Sequence, residues 1–398
     1  MKIKILKLVF ILCLINFISC TEPFTIESYD FESVLVVEAT ITDENKKHTI
    51  LLSKAFKISE DSPEHIENAI VKITDENNNT FTFTETSPGK YVSDIAFKAV
   101  KDINYKLSIA TDDGNVYESN NSKTTSKSKI DNLSVSLEKN SLNEDEFSIN
   151  VDSYDPERNS NYYKYSYEET YKIEAPYWSP LEAFISATTP PRVSIGNKID
   201  KTKKICYNTQ ASNTIIQIST KDLSEDRLTK FPVRKVLASD FKVSHRYSIN
   251  VRQQIQSYDA YNYYSILNKF SNASDLLSQS QPGFFNGNIK SMLNENERVL
   301  GFFEIAHVSE KRIFFNYRDF IAIGRPEYAE DCYKNAPTNS NGPGGNDLVI
   351  TLQTGEWIYY AENKTVSDGY PGPYLLYPKG CGDCTIYGSN VKPDFWID

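Results

Sequence analysis

From residue 33 to residue 119 the chain is written in short alternating runs. SVLVVEATI (33–41), HTILLSK (48–54), AIVKITD (69–75), TFTFTE (80–85), KYVS (90–93), NYKLSIA (104–110) and VYES (116–119) follow one another. Apolar and polar residues alternate within them, which is the period of a half-buried strand. The turns DENKK, DENNN, SPG and DDG separate them, and Gly, Pro, Asn and Asp are the residues that reverse a chain. No helical stripe survives such frequent reversal. Seven short strands in this space fit an immunoglobulin-like or fibronectin-like sandwich. Composition agrees: 26 Tyr and 21 Phe suit a pleated, half-buried surface.

NSKTTSKSK (121–129) has no apolar period and reads as a linker or last edge strand. Longer strands follow: LSVSLE (133–138), FSINVDSYD (147–155), NYYKYSYEETYKIE (161–174) and RYSINVRQQI (246–255). The third puts Tyr163, Tyr165, Tyr167 and Tyr171 on one face, opposite Lys164, Ser166, Glu168, Thr170 and Lys172. A tyrosine ladder can stack sugars or grip a peptide, but aromatics on strands mostly face a core, and that reading is favoured. Ser257 caps one helix, 258–270, with Tyr261, Tyr264, Leu267 and Phe270 at helical spacing. GNIKSML, RVLGFFEIAHV and KRIFFNY (287–317) read as a meander with turns at NENE and SE. LVITLQ and EWIYYAE are further strand candidates between the loops 335–346 and 367–374. Long loops on a rigid β scaffold are where function is expected.

The N-terminus addresses the compartment. MKIKILKLVFILCLINFISC carries Lys2, Lys4 and Lys7 before an apolar run, the layout of an export signal. Ser19 before Cys20 is what a lipoprotein signal peptidase cuts, and acylation of Cys20 would tether the protein to a membrane. The sequence does not choose between periplasmic and surface faces. Without residues 1–19, 40 basic residues face 53 acidic ones, a formal charge of −13. That balance repels nucleic acid and anionic headgroups. The expected organisation is a signal (1–19), a tether (20–31), an Ig-like β-sandwich (32–125), and a larger β domain (126–398) with one helix and a loop-rich C-terminal region. The fold class is mainly β.

Cys206, Cys332, Cys381 and Cys384 remain after export, an even number that points to disulfides. Three connectivities exist. Cys381–Cys384 as a local staple with Cys206–Cys332 across the domain is the preferred one. A redox pair would want its first thiol at a helix N-terminus, and a zinc site a second close pair. The staple would hold Lys392, Phe395 and Trp396 in place. With Tyr370 and Tyr374 of the neighbouring loop, these are the interaction candidates.

A search for chemistry finds no HExxH, no GxSxG elbow, no phosphate loop and no EF-hand spacing. His48, His65, His245 and His307 read as surface or satisfied histidines. No cofactor, metal or catalytic residue is expected. A hydrolase needs only two carboxylates placed by the fold, and is the least favoured class.

VLVVEATITDENKKHTILLSKAF, PGFFNGNIKSM, VLGFFEIAHVSEKRIFF and CGDCTIYGSNVKPDFW together resemble a family of outer-membrane lipoproteins of Bacteroidota, domain-of-unknown-function 4249. Members tend to be encoded beside TonB-dependent receptors. The resemblance implies a lipid-anchored accessory or surface-binding partner of such a transporter. The ligand classes to consider, from the tyrosine ladder, are a glycan and a peptide. A structural or adhesion lipoprotein is the alternative. The family brings no catalytic residues.

Overall fold

The computed structural model describes residues 34–55, 62–272, 287–342, 345–367 and 369–398. The signal, the tether and Cys20 lie outside the described residues. The chain is mainly β, as its alternation requires.

The first seven strands form close to where the alternation puts them. They hydrogen-bond along one path: Leu35–Thr42, Thr49–Lys54, Lys90–Ser93, Thr80–Ser87, Ile70–Asp75, Asn104–Ala110, Val116–Ser119. Alternate residues turn inward, so Val37, Ile41, Ile50, Leu52, Val71, Ile73, Tyr91, Leu107 and Ile109 fill one core.

The region 287–317 departs from the expected meander. Val299–Asn316 is a single strand of 18 residues. Its first part pairs in parallel with Leu35–Thr42, from Leu35↔Val299 to Thr42↔Ala306. Its second part pairs antiparallel with Arg246–Ile255, from Ile255↔His307 to Arg246↔Asn316. The expected turn at Ser309-Glu310 does not form because both residues are held in the ladder, opposite Gln253 and Arg252. Residues placed with the second domain therefore complete the first: Ile289, Val299, Phe303 and Ile305 pack in its core. Asn288 helps to close this unit. Its side-chain amide donates to Phe303 O and accepts from Phe303 N, both at 2.8 Å, in place of a backbone rung.

The second unit continues the same sheet through Tyr162–Glu174 and Ile205–Ala211. A three-stranded sheet of Asn132–Lys139, Asp145–Asp155 and Asp226–Leu237 shares its core. The tyrosine ladder belongs to that core: Tyr163, Tyr165 and Tyr171 are buried there and Tyr167 packs against it. A helix, Tyr258–Asn272, follows Ser257, whose Oγ accepts from Ala260 N at 3.1 Å.

LVITLQ is a helix rather than a strand, Asp347–Gln353. Asn346 caps it by accepting from Val349 N, and Leu348, Val349 and Leu352 give it a helical apolar stripe. EWIYYAE does form a strand, Trp357–Glu362, paired with Tyr374–Pro378.

The cysteines pair otherwise than expected. Cys206 bonds Cys384 and Cys332 bonds Cys381, with Cα–Cα distances of 5.6 and 5.8 Å. The reason is local. Cys381 lies in the helical turn Lys379–Gly382 and Cys384 opens the next turn, Cys384–Ile386, so the two thiols reach different partners. Each bridge closes a long loop, 178 and 49 residues in sequence separation, which constrains the unfolded chain more than a local staple would.

Candidate functional site

The strands Leu35–Thr42 and Val299–Asn316 lie side by side, with their inward residues in the first core. Their outward residues include Val36, Glu38 and Thr40 on one strand and Leu300, Phe302 and Glu304 on the other. Val36, Leu300 and Phe302 make one part of this face apolar, and that part needs cover. The helix Tyr258–Asn272 supplies it, with Ala260 and Tyr263 packed on Phe302 and Tyr264 and Leu267 beside them. The ring centroids of Tyr263 and Phe302 are 5.6 Å apart.

The cover is incomplete. A cleft of about 670 Å³ remains between the helix and the sheet, with Asn213 and Ile215 of the second unit also on its wall. That size is typical of a small-molecule site. Gly301 forms part of the wall and has φ +150°; a Cβ there would fall 2.4 Å from Val37 O. A glycine is required for the two strands to meet at this point.

One charged group enters the cleft from the second unit. Lys164 stands on the opposite face of its strand from the buried tyrosines, with 17% of its side chain exposed. Its Nζ lies 3.9 Å from the centroid of the Tyr264 ring and 3.8 Å from Glu304 Oε2. Glu304 sits behind it and is 1% exposed. Gln256 Nε2 donates weakly to Glu304 Oε2 at 3.5 Å, and Gln217 Nε2 donates to Gln256 Oε1 at 2.5 Å. Glu304 Oε1 has no hydrogen-bond partner among the described residues. Burial pushes the Glu304 carboxyl up and the Lys164 ammonium down; their mutual attraction opposes both shifts.

The pair is thus buried and held at a distance too long for a hydrogen bond. An ammonium with unused donors facing an apolar trough is binding geometry. Lys164 and Glu304 were not singled out in the sequence, although a glutamate inside the apolar run VLGFFEIAHV is a legible signal. Its meaning depends on a cover for both faces of the strand, which alternation alone does not reveal.

The residues singled out from the sequence lie elsewhere. Lys334 Nζ covers the Tyr370 ring at 4.0 Å, and Tyr374 packs edge-on against Tyr359. Phe395 lies 3.6 Å beneath the Arg312 guanidinium, and Lys392 pairs with Asp398 at 2.6 Å. Trp396 is 4% exposed, packed on Tyr207 and Phe314, so it plugs the fold rather than facing a ligand. None of these residues lines the cleft. Three of the four histidines are partnered: His48 with Phe97 O, His245 with Glu174 and Arg325, and His307 with Asp43. Among the described residues no cluster of three His, Cys, Asp or Glu side chains is placed to hold a metal.

The family model described as "Domain of unknown function (DUF4249)" matches residues 21–312. Every residue that lines the cleft falls within that segment. No curated protein matches the chain. A solved structure of a DUF4785 family protein from Legionella pneumophila subsp. pneumophila str. Philadelphia 1 is 8% identical, covering 54% of this chain and 51% of its own, with a TM-score of 0.15. The chain spans about half the length of that structure, and a likeness at this score carries no argument.

Proposed function

This chain belongs to the DUF4249 family, and we propose that it is a lipid-anchored cell-envelope protein that binds a ligand as the accessory of a TonB-dependent outer-membrane transporter. The observation that carries the reading is the cleft. It is built where two β units share one strand, it is lined mainly by apolar side chains, and it holds one under-bonded cation. The N-terminal sequence supports the anchor: lysines, an apolar run and Ser19-Cys20. The residues around the cleft favour holding a molecule over transforming one, so the protein is read as a binder and not an enzyme.

The test is isolation from the native membrane in mild detergent through an affinity tag, followed by mass spectrometry of what co-purifies. A stoichiometric TonB-dependent receptor is the expected partner. Recovery of the lipoprotein alone would overturn the transporter role and favour a free-standing surface or adhesion protein. Cys20→Ala should release the protein from membranes; a membrane-bound variant would overturn the anchor.

A further inference from the structure

We infer that the cleft takes an uncharged apolar amide, of which a short hydrophobic peptide segment is the biological form, with its carbonyl oxygen received by Lys164. The inference rests on reading the chain as a binder and names the class of molecule bound.

The apolar part of the assignment follows from the walls. Val36, Leu51, Ile215, Leu267, Leu300 and Phe302 offer aliphatic and aromatic surface. A sugar would place a ring of hydroxyls against these side chains and leave most of them without partners, at a cost for each. Apolar side chains or an acyl chain face no such penalty.

The polar part follows from Lys164. Its ammonium has three donors. Among the described residues it has the Tyr264 ring and a carboxylate at 3.8 Å. Neither is a hydrogen bond, so an acceptor brought by the ligand would meet an unfilled demand. The acceptor should be neutral. Glu304 already balances the charge of Lys164, and Glu38 adds a second carboxylate to the cleft wall. A ligand anion would bring a third negative charge to one cation in a poorly solvated place. A cation would meet Lys164 itself. A carbonyl accepts from Lys164 and changes no charge.

The test uses the full-length Cys20→Ala protein and three probes: N-acetyl-leucyl-phenylalaninamide, decanoate and decylamine. Isothermal titration at pH 7.5 should show saturable binding of the amide, with both charged probes at least tenfold weaker. Lys164→Met should weaken the amide at least tenfold. Leu51→Trp serves as an independent variant: Leu51 is 40% exposed, so the larger side chain fills the cleft without disturbing the core. It should weaken binding by a similar factor with an unchanged thermal midpoint. No amide binding, tighter binding of decanoate or decylamine, or full binding by both variants would overturn the inference. Failure here is separable from failure of the transporter reading. A receptor in the pull-down with no amide binding overturns the ligand class alone. Amide binding without a receptor supports the class and overturns the transporter role.

Discussion

Two buried glutamates in this protein show how differently one residue type can be used. Glu169 is satisfied. Tyr247 donates to it, Arg234 Nε lies 2.8 Å from Oε2, and Lys242 Nζ lies 3.2 Å from Oε1. Burial works against its ionisation, but these donors overcome it and hold the carboxyl below its ordinary range. Glu304 has one weak donor and a distant cation, and burial prevails. Glu169→Gln should therefore cost about 3–5 kcal/mol, because it leaves two cations near the core without their anion. Urea denaturation checks it. The Lys164–Glu304 pair should behave otherwise. Replacing both with apolar residues, Lys164→Met with Glu304→Leu, should leave stability within about 1 kcal/mol of the wild type or raise it, since it removes the cost of burying two charges. The same double variant should lose amide binding. A large loss of stability in the double variant would make the pair a structural clamp between the units.

At the scale of elements, the long strand Val299–Asn316 organises the molecule, and its two halves serve different units. Arg252 links them at their junction. Its Nη1 donates to Glu44 Oε1 at 3.0 Å from the first unit's turn, and it also pairs with Glu310 on the long strand. Burial disfavours the ionised Glu44, but hydrogen bonds from Arg252, Lys46 and Thr42 outweigh it and hold the carboxyl down at about 2. The folded value lies below the ordinary 4.5. The ionised group thus contributes stability that is complete above 4.5 and lost as pH falls towards 2. Arg252→Gln should be less stable than wild type at pH 6, and the two urea midpoints should converge as pH approaches 2. Parallel curves would remove Glu44 from the link. Much of this element level was legible in the sequence. Period-2 alternation placed the first seven strands, and Ser257 placed the helix. What was not legible had partly a non-local cause and partly a local signal outweighed by β propensity. Ser309-Glu310 looks like a turn until Gln253 and Arg252 are set opposite it. LVITLQ reads as a strand by its β-branched residues, yet Asn346 caps it as a helix and Leu348 and Leu352 share a face. The cleft needs a helix laid over a strand from a distant part of the chain, which no local pattern encodes.

For the whole molecule, the Cys206–Cys384 bridge and the cleft lie towards opposite ends of one strand, Tyr162–Glu174. Cys206 pairs opposite Ile173 near the end of Tyr162–Glu174, and Lys164 stands near its start. At a rise of roughly 3.3 Å per residue, nine positions separate them by about 30 Å. The bridge to Cys384 draws the C-terminal segment onto this far end, where Tyr207 and Ser389 exchange backbone hydrogen bonds and Trp396 packs on Tyr207. Cleavage of the unreduced protein with trypsin and an Asp-specific protease separates Cys381 from Cys384 at Asp383. The peptides should then join Cys206 to Cys384 and Cys332 to Cys381; a Cys381–Cys384 peptide would refute the long-loop pairing. Cys206→Ser with Cys384→Ser should cost about 2–5 kcal/mol by freeing the unfolded chain. It should also speed proteolysis after residue 384. Changes this far apart with no shared partner add independently. Amide binding should therefore stay within about twofold of wild type in that double variant. A larger loss would mean that the C-terminal segment and the cleft are coupled through the sheet, and that the tail takes part in binding at a distance.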